Sequence, residues 1–150
     1  MPDKSLPRCD FLADDFSLRF ETTVQASVAA IEPVVGKIMA VVDEFGCAVG
    51  HEFEVDLALR EALANAILHG CKSDPKHAVC VSVGCAKPKG ILITVRDPGD
   101  GFDPTSISSP IIGQNIYSHH GRGIFLINQL MDEVQFDRGG TEIRMIKRGE

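Results

Sequence analysis

The chain has 150 residues, the size of one ordinary domain; 44% hydrophobic against 24% charged residues can build a real core, which excludes wholesale disorder. Fifteen Lys and Arg against 21 Asp and Glu leave a net charge of −6. That balance excludes binding a nucleic-acid backbone as the main activity, whereas a single nucleotide needs only a local donor pocket. No apolar run approaches the roughly 18–20 residues of a membrane span, and the N-terminus lacks a signal-peptide core, so a cytoplasmic location without membrane contact is expected.

Residues 1–14, punctuated by Pro2 and Pro7, read as an N-terminal tail, and 15–150 as one domain. Phe16 to Val24 alternates apolar and polar residues at period two, the pattern of a half-buried strand. A helix follows from about Val28 to Phe45, with Pro33 in its first turns, and Gly46 and Gly50 break it. A second helix runs from about Val55 to His69 and closes at Gly70. Val79, Val81 and Val83 alternate along a strand; Lys87 to Gly90 turn the chain into an antiparallel strand, Ile91 to Arg96.

About twenty-five residues rich in Gly, Pro, Ser and Asn come next, and a loop that long inside a domain is usually functional. Helical spacing returns at Gly123 with Ile124, Ile127, Leu130 and Met131, and two short strands, about 134–137 and 141–147, close the chain around Gly139-Gly140. The order β-α-α-β-β-loop-α-β-β predicts an α+β two-layer sandwich, a mixed, mostly antiparallel sheet with helices on one face. The five cysteines, Cys9, Cys47, Cys71, Cys80 and Cys85, include no C-x-x-C pair and read as small buried hydrophobes. His119-His120 lacks partners at ligand spacing and makes a weak metal site.

Three clusters carry chemistry. From Val55 to Leu68 ten of fourteen residues are apolar, and Glu61 and Asn65 interrupt that surface four residues apart. Four residues is about 40° round a helix, so the two share a face. They form either a solvated edge stripe with Arg60 and Asp56, or a carboxylate and an amide aimed together into a pocket. Parity puts Asp97 on the same face as Ile91, Ile93 and Val95, pointing to the core side, where a carboxylate can accept from a buried donor. Gly99 and Gly101 follow it, either as ordinary turn chemistry or to permit close backbone approach. Gly121-Arg122-Gly123 leads into a helix, either as a hinge or as N–H groups closing on an anion at the positive end of the dipole. None of these is a Rossmann, Walker or EF-hand element.

Their order is the stronger signal. Glu-x-x-x-Asn on a helix, Asp-x-Gly-x-Gly after a strand, a long loop, Gly-x-Gly at a helix and Gly-Thr on a late strand resemble the GHKL, or Bergerat, ATP-binding fold. Within it, Leu57 to Gly70, Val95 to Pro104, Gly121 to Val134 and Gly139 to Met145 are similar to the bacterial anti-sigma factor serine kinases. The resemblance implies a protein-serine kinase that uses ATP and Mg²⁺, phosphorylates a STAS-type anti-anti-sigma partner and sequesters a sigma factor. The alternative is a non-catalytic, ATP-gated binding switch of the same fold.

Carried over by residue, the resemblance implies that Glu61 is the general base and that Asn65 coordinates Mg²⁺. Asp97 binds the adenine amino group, with Thr141 reaching the base through a water. Gly99 and Gly101 shape the adenine pocket, Gly121, Arg122 and Gly123 hold the phosphates, and 102–122 form a lid. A homodimer is also implied. His69, His119 and His120 receive no role. The catalytic domain of a histidine kinase is disfavoured, because no helical hairpin with a phosphoacceptor histidine precedes the motifs.

Overall fold

The period-two alternation of the chain becomes a five-stranded sheet whose apolar parity faces three helices. The computed structural model describes residue 16 and residues 18–72, 74–86, 89–99 and 119–149, with side chains of the last stretch from 123 onward. The strands are β1 (Leu18–Gln25), β2 (Ala78–Ala86), β3 (Gly90–Arg96), β4 (Glu133–Asp137) and β5 (Glu142–Arg148), and the helices α1 (Ile31–Phe45), α2 (Glu52–Asn65) and α3 (His119–Leu130). The sheet order is β1-β2-β3-β5-β4, and all four pairings are antiparallel. The tail 1–14, Gly101 and most of the lid lie outside the described residues.

Register lines up the inward rows. Phe20, Val83, Ile93, Met145 and Val134 oppose one another in turn, and so do Thr22, Val81, Val95, Ile143 and Phe136. Against them α1 lays Val35, Ile38, Met39 and Val42, and α2 lays Val55, Ala58, Leu59, Ala62 and Leu63, all buried. Those spacings of three and four place one stripe of each helix on the sheet. Each such aliphatic side chain removed from water contributes about 1.5–3 kcal/mol. Arg60 donates to Asp56 at 2.5 Å and pairs with Glu32, which ties α2 to α1. The Arg60 guanidinium, by hydrogen bond and charge, holds the Glu32 carboxyl below its ordinary pKa.

Several local expectations shift. The first helix begins as a 3-10 turn at Val28–Ala30 before α1. The second leaves α geometry after Asn65 and widens into a π turn over Ala66–Gly70, with the Cys71 N–H donating to the Ala66 carbonyl at 2.8 Å. The third begins at His119, so Gly121 and Gly123 sit inside it rather than before it. Packing against α2 outweighs the roughly 1 kcal/mol helix penalty of each glycine. The closing hairpin turns through a four-residue connection, 138–141, in which Arg138, Gly139 and Gly140 all have positive φ.

Cys47 and Cys85 are not separate hydrophobes. They form a disulfide, Cα–Cα 5.6 Å, that pins the α1–α2 turn to the end of β2, whereas Cys71 and Cys80 are free. A bridge closing 38 residues is worth about 4 kcal/mol in the chain-entropy account and about 2–4 kcal/mol in practice. Cys47→Ser, or reductant added to the parent, is therefore expected to lower the urea-unfolding free energy by about 2–4 kcal/mol. Equal stability with and without reductant would contradict the bridge.

Candidate functional site

The site lies where α2, its π turn and the ends of β3 and β5 converge. A cavity of about 470 Å³ opens there, within the range of small-molecule sites. One wall is Ala62, Asn65, Ala66, His69, Gly70 and Cys71; Val95, Asp97 and Gly99 face it from the β3 end, and Thr141 and Ile143 from β5. Among the sequence-predicted residues, Asn65, Asp97, Gly99 and Thr141 therefore share one cavity.

Asp97 ends the apolar row of β3, as parity predicts. Its backbone N–H donates to the Thr141 carbonyl at 2.9 Å, and its Oδ1 accepts from the Gly99 N–H at 2.7 Å. Burial pushes the Asp97 carboxyl above the ordinary aspartate range, and the Gly99 N–H partly offsets that shift. The neighbouring Cys71 thiol is also pushed up, first by burial and then by the charges of Asp97 and Asp74, so it stays protonated and un-nucleophilic. A carboxyl whose pKa is raised on folding contributes most stability below its unfolded value and loses it as pH climbs through the folded one. Asp97→Asn keeps the Gly99 bond and removes the charge. This variant, without ligand, is expected to be more stable than the parent at pH 7, with the gain vanishing below the ordinary aspartate pKa; urea titrations across pH check it.

Packing around Asp97 leaves no room for side chains. A Cβ at Gly70 would collide with the Asp97 carboxyl, and one at Gly99 with the Gly70 carbonyl. Gly70 terminates the helix, as its sequence position predicts, and it also seats the carboxylate. No spacing rule signals that role, because the contact joins residues 27 positions apart.

Asn65 is nine-tenths buried, and its Oδ1 has no hydrogen-bond partner among the described residues. An unpaired buried carbonyl oxygen costs about 1–3 kcal/mol, so its ligand is expected to come from outside the fold. Glu61 does not line the cavity. It lies one turn before Asn65 and against α3, where an ideal Cβ on Gly123 would sit 3.1 Å from Glu61 Oε2 and 3.1 Å from Asn65 Nδ2. Arg60, not Glu61, makes the edge stripe with Asp56. Glu61 and Asn65 thus share the face that meets Gly123, and the absence of a side chain there lets α3 approach both.

The Thr141 hydroxyl donates to the Arg138 carbonyl at 2.9 Å, which leaves it an acceptor toward the cavity. His69 lines the cavity, as do His77 and Phe136, which sequence reasoning did not single out. Gly121 and Arg122 are placed in the first turn of α3 by backbone alone, and Gly101 falls outside the described residues. Among the described residues no group of three or more His, Cys, Asp or Glu converges as a metal site, and no helix is long and apolar enough to cross a membrane.

Comparison with known proteins gives the family and the fold. Residues 24–147 match the histidine kinase-like ATPase domain. The chain is 27% identical over 135 residues to an anti-sigma F factor of Anoxybacillus flavithermus, covering 83% of this chain and 79% of that protein. It is 34% identical over 96 residues to the serine-protein kinase RsbW of Bacillus licheniformis, 59% of each chain. The crystal structure of the RsbU and RsbW domains of Rv1364c from Mycobacterium tuberculosis superposes with a TM-score of 0.61 at 17% identity. That superposition covers 89% of this chain and 32% of the other, and it shows the shared fold.

Proposed function

The chain belongs to the histidine kinase-like ATPase family, and from that premise we propose that it is an ATP-dependent protein-serine kinase acting as an anti-sigma regulator. The observation that carries the reading is the buried, unpartnered Oδ1 of Asn65, a residue that lines the same cavity as Asp97. Similarity to proteins named anti-sigma F factor and serine-protein kinase supports the regulatory class.

Asp97 accepts from the exocyclic amine of adenine, held in place by the Gly99 N–H. Thr141, committed as a donor to Arg138, accepts from a water on the base. Asn65 Oδ1 fits Mg²⁺, a hard cation that takes oxygen ligands and, when bound, neutralises phosphate charge. The N-terminal turns of α3, with Gly121, Arg122 and Gly123, hold the phosphates through backbone N–H groups and the helix dipole. Gly101 hinges the lid, whose expected C-terminal residues 119–122 form the first turn of α3 instead. Glu61 Oε2 takes the proton of the accepting serine hydroxyl directly or through one water, and phosphate transfer rests otherwise on positioning.

The acceptor is a serine of a STAS-type anti-anti-sigma protein, and the sequestered partner is a sigma factor. The protein works in the cytoplasm as a homodimer, without direct contact to nucleic acid or membrane. One observation favours a second reading, a non-catalytic ATP-gated switch: Glu61 lies outside the cavity wall. Incubation with labelled ATP, Mg²⁺ and candidate STAS proteins separates the two. Label on a partner serine is the expected result, and tight ATP binding with no transfer to any partner would sink the kinase.

A further inference from the structure

Among the described residues four large apolar side chains stand exposed, and three of them share the α1–α2 turn: Phe45 at 39%, Val49 at 64% and Phe53 at 73%. Single exposed apolar residues are ordinary, but a cluster ringed by polar groups marks an interaction surface. The ring here is acidic. Asp43, Glu44 and Glu52 are exposed and Glu54 is half-buried, and no lysine or arginine occurs between residues 43 and 54.

The turn is held firmly. Gly46 caps α1 in the left-handed conformation, its N–H donating to the Val42 and Asp43 carbonyls. Cys47 is tied to Cys85, and Ala48 is buried. The His51 N–H donates to the Ala48 carbonyl at 2.8 Å, and the Gly50 N–H to Glu52 Oε1 at 3.0 Å. A surface fixed in this way loses little entropy when it is covered.

We infer that this turn docks a cationic amphipathic segment of a partner protein, its apolar side on Phe45, Val49 and Phe53 and its basic residues on the acidic ring. A second copy does not fit, because a two-fold contact would set like carboxylates against each other. An anionic lipid surface is repelled for the same reason. Phe53 and Asn65 lie at opposite ends of α2, roughly 18 Å apart at 1.5 Å per residue. Docking therefore leaves the cavity free, and the inference does not depend on the kinase reading.

The test uses the full, oxidised chain and two labelled amphipathic helices, one of leucine and lysine, one of leucine and glutamate. The leucine–lysine helix should bind, with affinity falling as salt rises. Phe53→Ser, at an exposed site that leaves the core intact, should weaken it about tenfold or more, as loss of an aromatic anchor does. Glu44→Lys with Glu52→Lys should weaken it further and flatten the salt dependence, and amide exchange should slow within 43–54. Several results would overturn the inference: no binding, equal binding of both helices, no effect of Phe53→Ser, or a parent dimer that Phe53→Ser dissociates.

Discussion

Glu61→Ala is expected to slow phosphate transfer by about 10²–10⁴-fold, the usual contribution of a positioned general base. ATP affinity should stay within about twofold, the pattern expected when an interaction is made only in the transition state. Glu61 shares its helix face with Asn65 and meets α3 at Gly123, yet it lies outside the cavity wall. On the proposed kinase reading, a carboxylate set there would meet an incoming hydroxyl rather than the nucleotide. Glu61 is neither part of the apolar core nor of the Arg60 ion pairs, so the fold should survive the truncation. Single-turnover transfer beside equilibrium ATP binding reads both quantities. Loss of binding in step with transfer would mean that Glu61 holds nucleotide instead.

Gly70→Ala is expected to damage nucleotide binding by displacing Asp97. Its Cβ would collide with the Asp97 carboxyl, the group argued to read adenine, and relieving such overpacking costs about 1–3 kcal/mol. ATP affinity should fall about five- to 150-fold on that scale. The decisive control is the same substitution in an Asp97→Ala background. With the carboxyl gone the collision is gone, so Gly70→Ala should then change stability little, a non-additivity expected of residues in contact. Additive effects in urea unfolding would show that Gly70 acts only as a helix terminator.

Much of this was legible in the sequence because it is local. The alternation of Val79, Val81 and Val83, the three–four spacing from Val28 to Phe45 and the parity that aims Asp97 inward each need only a few residues of context. The pairing of Glu61 with Asn65 follows from helix geometry alone. What the sequence did not reveal depends on distant partners. The π turn at Ala66–Gly70 has no compositional sign, yet it helps lay His69, Gly70 and Cys71 along one wall. The early start of α3 reflects packing on α2, which overrides two glycines. The Cys47–Cys85 bridge joins residues whose proximity only the tertiary fold creates. His77 joins the cavity from just before β2 and Phe136 from the edge strand β4, with no motif to announce them.

The proposed function requires Mg²⁺-ATP to fill the cavity between the π turn and the end of β3. Titration calorimetry with Mg²⁺-ATP, beside a thermal melt, tests that most directly. A binding heat and a rise in melting temperature are expected, both sharply reduced in Asp97→Ala and in Asn65→Ala. No heat and no thermal shift in the folded parent, or equal heats in both variants, would contradict it.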